Sequence, residues 1–489
     1  MKKIVYLVLL LVVTSLCGCN DWLDVKPKTQ FEREEYYSSE DGFRSALTGC
    51  YMKLKDRSLY GEQLTMSSVE YMAQHWVANG DGDRDLMNFQ WDTKTSEQTL
   101  KNWYSRLYTV IAQANDLLDY LEKKGEVIES AERRKMIQGE ALAIRAFCHF
   151  DLLRLFGQLP DNDTITRNLA YAEKTGNEPV PFYDFATFTG KVLRDFSDAA
   201  ALLKESDPVM HYSFETLNKP KEAIEKGYIQ DDFDAYRRIR FNYWAVKALQ
   251  ARAYLYIGDK PNAWSCANEV IGAQIDGQPV SQLSALEDYT AGYYILPNEV
   301  LAGLNVYNID TYVSTLFRGK SMGGLLYKSE SADLILNDIF QGLTSDRRRD
   351  KVWTNVQGGS SARFTVKKYW QSSSALDDEA STKLDMNRQM VPLIRLAEVY
   401  LIAVESAPTV AEANLLMREF KTSRDLPYTD QNRVQIDEDV LNEYRKELYA
   451  EGQMFFTYKR LGKKTMLWRS KEVSEGNYVL LIPKTEVAY

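Results

Sequence analysis

The residues best suited to chemistry lie between His75 and Asp92. The run Asp81-Gly82-Asp83-Arg84-Asp85 follows Asn79 and is flanked by Trp76 and Trp91. Aromatic rings offer stacking faces, while carboxylates, amides and guanidinium groups offer hydrogen bonds. Trp76, Asn79, Asp81, Asp83, Arg84 and Trp91 are therefore candidate ligand-binding residues. Tyr293, Tyr294 and Trp353 join them from further along the chain. The alternating carboxylates also have the spacing of a calcium loop, with Asp92 at its twelfth position. Leu86 stands where such a loop needs glycine, and Asp92 replaces its glutamate. A solvated acidic turn is the stronger reading, and no metal is assigned.

Enzyme signatures are sparse. Of the three histidines, His75, His149 and His211, none falls in an H-E-x-x-H pattern. Gly319-Lys320-Ser321 has the ending of a phosphate-binding loop, but Ser314 holds the position of the upstream glycine. No G-x-S-x-G elbow is present. A glycosidase would need two carboxylates about 5–10 Å apart, and sequence alone does not single out a pair among 69 acidic residues. No cofactor motif is found. The net charge of −9 argues against nucleic-acid binding, which depends on clustered cations.

The N-terminus has the form of a targeting signal. Lys2 and Lys3 precede an apolar run from Ile4 to about Leu16, which is short of the ~20 residues that span a bilayer. It ends in Leu16-Cys17-Gly18-Cys19, a pattern that resembles a bacterial lipobox. Residues 1–18 are then a lipoprotein signal peptide, and Cys19 is the lipidated first residue, carrying acyl chains such as palmitate. Cys50, Cys148 and Cys266 are far apart in sequence and cannot all pair. They read as small buried hydrophobes rather than a disulfide framework.

The elements that must position these groups are helical. Apolar residues recur at three- and four-residue spacing over Trp103–Leu118, Glu140–Phe156, Tyr243–Ile257, Leu393–Val404 and Val440–Phe456. Between Lys247 and Ile271, Ala251, Tyr254, Gly258, Ala263 and Ala267 follow a tetratricopeptide-like pattern, with Gly258-Asp259 as the turn. Ala397, Tyr400, Ala411 and Ala413 repeat it loosely. The expectation is an all-α fold of TPR-like helix-turn-helix pairs in a single domain, 19–489. Long irregular loop insertions interrupt it at about 77–99 and 276–385. Aromatic residues make up 12% of the chain, a surplus that suggests either a large core or stacking platforms on the surface.

Taken in order, several segments resemble the SusD/RagB family of outer-membrane nutrient-binding lipoproteins. They include Cys19 to Pro27 and the Trp103, Tyr108, Ile111, Ala114, Asn115 helix. Arg145-Ala146-Phe147 is followed by Leu155-Phe156-Gly157. Pro392 to Ile402 resembles the family hallmark most closely; Arg445, Glu447-Leu448, Glu451-Gly452 and Lys459-Arg460 resemble a second one, and Leu481-Ile482-Pro483 the closing segment. Gln453 and Thr457-Tyr458 depart from the pattern. The resemblance implies a SusD-like fold and a non-enzymatic lipoprotein at the cell surface. It would be anchored in the outer membrane and capture oligosaccharides for a SusC-like TonB-dependent transporter. Two other readings stand beside it: a secreted polysaccharide hydrolase, and a structural lid that binds no ligand. The lid predicts that the aromatics of the first insertion are buried.

The lipobox reading has a direct test. Cys19→Ala should release the protein from the membrane fraction or leave its precursor uncleaved, because the apolar run is too short to hold it. Labelled palmitate still incorporated into this variant would refute the assignment.

Overall fold

Helices form where the apolar period is strong, and they begin where a side chain can accept from a free backbone N–H. A computed structural model describes residues 28–484 except 79, 163, 177–178, 308, 310–312, 314–315, 318–325, 328–334, 358–362, 370–386 and 388. Cys19 and Asn79 therefore lie outside the described residues.

The long helices are α1 (Glu40–Leu54), α2 (Lys94–Lys124), α3 (Ala131–Phe156), α4 (Phe185–Ser206), α5 (Tyr243–Tyr256), α6 (Lys260–Ile271), α7 (Leu396–Ser406), α8 (Val410–Ser423) and α9 (Arg433–Glu447). Thr93, Ser130, Asp184, Asn242 and Asp259 cap α2 to α6. Full capping boxes start α8 and α9. From α1 to α7 each helix packs on the one before it, and α8 and α9 both pack on α7. The α5–α6 hairpin turns at Gly258, whose φ of +82° suits a residue without a Cβ. Ala251, Ala263 and Ala267 are fully buried where the helices meet.

Three expectations need correction. The region 77–99 is not an irregular loop: it holds a short strand (Trp76–Val77), a helix (Asp81–Met87) and the start of α2. Gly80 precedes the helix in an extended conformation, and the acidic first turn then suits a helix N-terminus. Leu393 to Arg395 are strand, not helix. Met390–Arg395 pairs antiparallel with Val300–Asn305, with both strands almost wholly buried, and so closes the neck of the second insertion. Continuous apolar runs of this kind serve buried strands as well as helices. The helix expected over 440–456 stops at Glu447. Ala450 and Gly452 have positive φ, and a second helix begins at Met454. A Cβ at Gly452 would meet the Leu64 carbonyl oxygen at 2.3 Å, so the break is built in. The second insertion also has order: the hairpin Gln274–Ile275/Gln278–Pro279, the helix Arg347–Lys351, and the hairpin Trp353–Gln357/Arg363–Val366.

Charged residues of the sequence hallmarks lie in the core. Arg395 reaches Glu299 at 2.8 Å, Glu447 at 2.9 Å and Glu451 at 2.8 Å. Arg424 joins Glu299 and Glu447, Arg348 joins Glu443 and Glu447, and Lys368 joins Glu451. Burial alone would raise the carboxyl of Glu447, but Arg424, Arg395 and Arg348 together hold it well below the usual range. Arg252 on α5 forks onto Glu398 on α7 at 2.6 and 2.7 Å. Arg145 on α3 forks onto Asp195 of α4 and also donates to Asn115 of α2 at 3.0 Å. Among the described residues Lys459 meets no carboxylate in this way. Its ammonium donates instead to the carbonyls of Arg154 and Gly157 at 2.8 and 2.6 Å and so caps the end of α3.

Removing Arg395 leaves three carboxylates buried without their common partner. Arg395→Met should destabilise the protein by about 3–5 kcal/mol in urea titrations near neutral pH. The depressed carboxyls of Glu443 and Glu447 contribute stability above their unfolded pKa of ~4.5, and that contribution is lost as pH falls through their folded values. The gap between wild type and variant should therefore narrow below about pH 4.5. A gap that is constant from pH 7 to 3 would contradict this account.

Candidate functional site

The first insertion builds core, with charge on its outside. Trp76 is fully buried; its indole N–H donates to the Met66 carbonyl at 3.0 Å, and its ring lies 5.4 Å from Phe317 and 5.1 Å from Tyr449. His75 stacks on Tyr449 at 4.2 Å and meets the buried Glu70. Trp91 packs against Phe89, and Trp353 meets Tyr449 edge-on at 4.8 Å. All three tryptophans are buried, so the expectation that they present faces to a sugar is corrected. Apolar surface of this size has more to gain from the core than from water. Trp76 pairs in strand register with Tyr327, so the two insertions do converge, through packed rings.

The polar candidates are scattered. Asp81 and Arg84 are exposed and pair with each other on the helix Asp81–Met87. Asp83 is half-buried; burial raises its carboxyl against a hydrogen bond from the Tyr71 hydroxyl. Tyr293 and Tyr294, in the second insertion, are half-buried, and the Lys367 ammonium lies 4.3 Å over the Tyr294 ring. Among the described residues these groups do not line one cavity.

A different region does gather rings and polar groups. After α4, Asp207 caps the turn at Val209 and anchors Arg237 at 2.8 Å. His211 and Tyr212 follow, then the short helix Phe214–Leu217, Asn218, and Tyr228 beyond Gly227. Tyr212 and Tyr228 stack at 4.3 Å with both rings half-buried. Across from them stands the hairpin of Gln274–Ile275 and Gln278–Pro279. Its turn residues Asp276 and Gly277 have φ of +51° and +73°, the left-handed geometry that Asp-Gly favours in a two-residue hairpin. Between the two walls lies a cleft of about 690 Å³, which Arg238, Gln278, Gln282 and Asn298 also line.

Two of its polar atoms have no partner among the described residues: Nε of Arg238 and Oδ1 of Asn218. Arg238 lies over Phe214 at 4.9 Å and donates through Nη1 to Asn298 at 3.3 Å. Desolvation pushes its pKa down to about 10, against the attraction of Asp288 and Glu215. Both atoms are buried, and the polar groups beside the ring faces in the cleft are those of His211, Gln278 and Gln282, a combination suited to sugar recognition. Sequence reasoning passed over this region except for His211. Asp276-Gly277 was the available signal, a hairpin dipeptide opening the second insertion.

Residues 21–255 match a SusD-like family model described as "Starch-binding associating with outer membrane", and residues 347–486 match the model of the SusD family. SusD-like protein P25 of Formosa agariphila is 27% identical over 162 residues, which are 32% of this chain and 30% of that protein. SusD-like protein P2 of the same organism is 24% identical over 160 residues, again 30% of its length. The chain thus matches less than a third of the length of these relatives. Among solved structures, a SusD superfamily protein from Bacteroides thetaiotaomicron aligns with a TM-score of 0.67 at 20% identity, covering 92% of this chain and 97% of that one. A SusD-like carbohydrate binding protein from Bacteroides vulgatus gives 0.68 at 17%, covering 92% and 96%. A laminarin binding SusD-like protein gives 0.64 at 18%, covering 92% and 97%. These likenesses establish the fold.

The corrected role of the first insertion is testable. Trp76→Ala should destabilise the protein by about 3–5 kcal/mol, the cost of a large core cavity. Arg84→Ala should change stability by less than about 0.5 kcal/mol. Unfolding titrations that give Trp76→Ala wild-type stability would return that ring to the surface.

Proposed function

Because the chain belongs to the SusD/RagB family, we propose that it is a non-catalytic glycan-binding lipoprotein. It sits on the outer face of the outer membrane through acyl chains on Cys19 and passes oligosaccharides to a SusC-like TonB-dependent transporter. The observation that carries ligand binding is the cleft, where the Tyr212–Tyr228 stack stands among the polar side chains of His211, Gln278 and Gln282. The family description as starch-binding and outer-membrane-associated supports the ligand class and the location, and so does the carbohydrate named for two fold neighbours. No helix among the described residues is long and apolar enough to cross a membrane, in keeping with attachment through a lipid.

The burial of Trp76 and Trp91 favours one alternative locally, since a lid that binds no ligand would bury the rings of the first insertion. The cleft is the feature such a lid would not need. We assign the ligand to the cleft rather than to Asp81, Asp83 and Arg84, whose nearest rings are committed to the core.

The test is a titration of the purified full chain against a polysaccharide panel, with product analysis to detect turnover. Binding without shortening of the glycan is expected. Tyr212→Ala and Tyr228→Ala should each weaken it by about 1–3 kcal/mol, the scale of a lost hot spot, with an unchanged melting temperature. Wild-type affinity in both variants would move the site elsewhere, no binding to any glycan would favour the lid, and released fragments would favour the hydrolase.

A further inference from the structure

The charges that line the cleft are balanced, with one exception. Glu215 accepts from Lys219 at 2.9 Å. Arg238 donates through Nη1 to Asn298 at 3.3 Å, its Nε is buried, and Asp288 and Glu215 both attract it. Lys226, the cation over the Tyr228 ring, is paired with Glu222 at 2.6 Å and is not part of the lining. Asp276 is different. It stands exposed at the tip of the hairpin Gln274–Ile275/Gln278–Pro279, and among the described residues its side chain has no cation and no hydrogen bond. A Cβ on the next residue, Gly277, would meet nothing within 4 Å, so the tip stands clear of the body. The cleft wall thus carries one uncompensated carboxylate.

The rest of that wall is neutral. Gln278 and Gln282 are exposed, they line the cleft, and their amides have no partner among the described residues. An amide sets N–H donors beside a carbonyl acceptor, and a sugar hydroxyl is both donor and acceptor. Adjacent hydroxyls therefore satisfy both halves of the amide. A carboxylate or sulfate only accepts, so it would engage the N–H half and face the carbonyl oxygen unpaired. The Asp276 carboxylate sharpens the same distinction. It gives a hydroxyl a charge-assisted bond and gives an anion repulsion. Across the cleft, the Tyr212–Tyr228 stack adds ring surface without charge.

Resting on the glycan-binding reading above, we infer that the cleft selects uncharged glycans: Asp276, Gln278 and Gln282 bind the hydroxyls of a neutral sugar whose ring lies against the tyrosines, and Asp276 rejects sugars that carry a carboxylate or sulfate. Asp276 is the specificity-determining residue, and its charge is separable from the fold. At φ +51° before Gly277, a two-residue hairpin accepts asparagine as readily as aspartate.

The experiment titrates the full chain with laminarin, soluble starch and galactomannan, each beside its carboxymethylated form, and with polygalacturonate and alginate as polyanions. At about 20 mM salt, at least one neutral polymer should bind about tenfold more tightly than its carboxymethylated form and than either polyanion. At about 500 mM salt the gap should narrow, because a charge on an exposed wall is screened. Hydroxyls blocked by carboxymethylation cost affinity at both salt concentrations, so the salt-dependent part reports the charge. Asp276→Asn should move two affinities in opposite directions. The neutral polymer should bind about three- to tenfold more weakly, as a charge-assisted bond becomes an ordinary one, and the charged form should bind more tightly by a similar factor. Gln278→Ala should weaken the neutral polymer and leave the salt-dependent part of the gap standing. The salt series on the wild type reads the same charge with no substitution at all. A polyanion or carboxymethylated polymer bound by the wild type as tightly as the best neutral one overturns the inference while leaving glycan binding intact. So does a gap that neither salt nor Asp276→Asn changes. Failure of the wild type to bind any polymer, charged or neutral, overturns both readings together.

Discussion

The fold depends on keeping a group of buried charges in balance. Arg348, Lys368, Arg395 and Arg424 are matched in the core by Glu299, Glu443, Glu447 and Glu451. Each ion taken from water costs several kcal/mol, and only near-complete pairing offsets that cost. Residues from the strand Met390–Arg395, from α9, from the turn after it and from the second insertion must therefore arrive in one geometry. Hydrophobic burial alone tolerates small slips of one helix on another, whereas a three-way contact such as that of Arg395 with Glu299, Glu447 and Glu451 does not. The stack of helices gains its fixed register from these contacts.

This constraint separates scaffold from surface. Arg145 with Asp195 and Asn115, Arg252 with Glu398, and Lys459 at the end of α3 tie the successive helices together. The segments that line the cleft are short helices, a two-residue hairpin turn and side chains with fewer partners. They can vary in sequence without disturbing the ion lattice. One cation, Arg238, stands at the border: it is half-buried and makes no ion pair among the described residues.

Much of the scaffold was legible because helical period, caps and small residues act locally. Ala251, Ala263 and Ala267 are buried as their spacing implies, and Gly258 makes the expected turn. The segment Leu393 to Arg395 was misread because a buried strand and a buried helix share a continuous apolar run. The end of α9 was missed because its cause is distant: the Gly452 amide donates to Glu70 at 2.8 Å, across most of the chain. The site was harder still. Trp76 and Trp91 stand in a run rich in Asp, Asn and Gly, which looks exposed. Their burial depends on Tyr449, Phe317 and Phe89, contacts that spacing cannot reveal. Tyr212 and Tyr228 gave no periodic signal, because the chain between them folds as two short helices.

The cap on α3 carries a consequence for the order in which the molecule assembles. Most helices pack on a neighbour in sequence, so the N-terminal half can condense as it is synthesised. The free carbonyls of Arg154 and Gly157 must nevertheless wait for Lys459, and Glu70 must wait for Gly452. Until the last helices emerge, a nascent chain holds those groups hydrated and its central seam loose. The C-terminal segment thus supplies partners to groups laid down some three hundred residues or more before it, and those contacts form only once Gly452 and Lys459 are present.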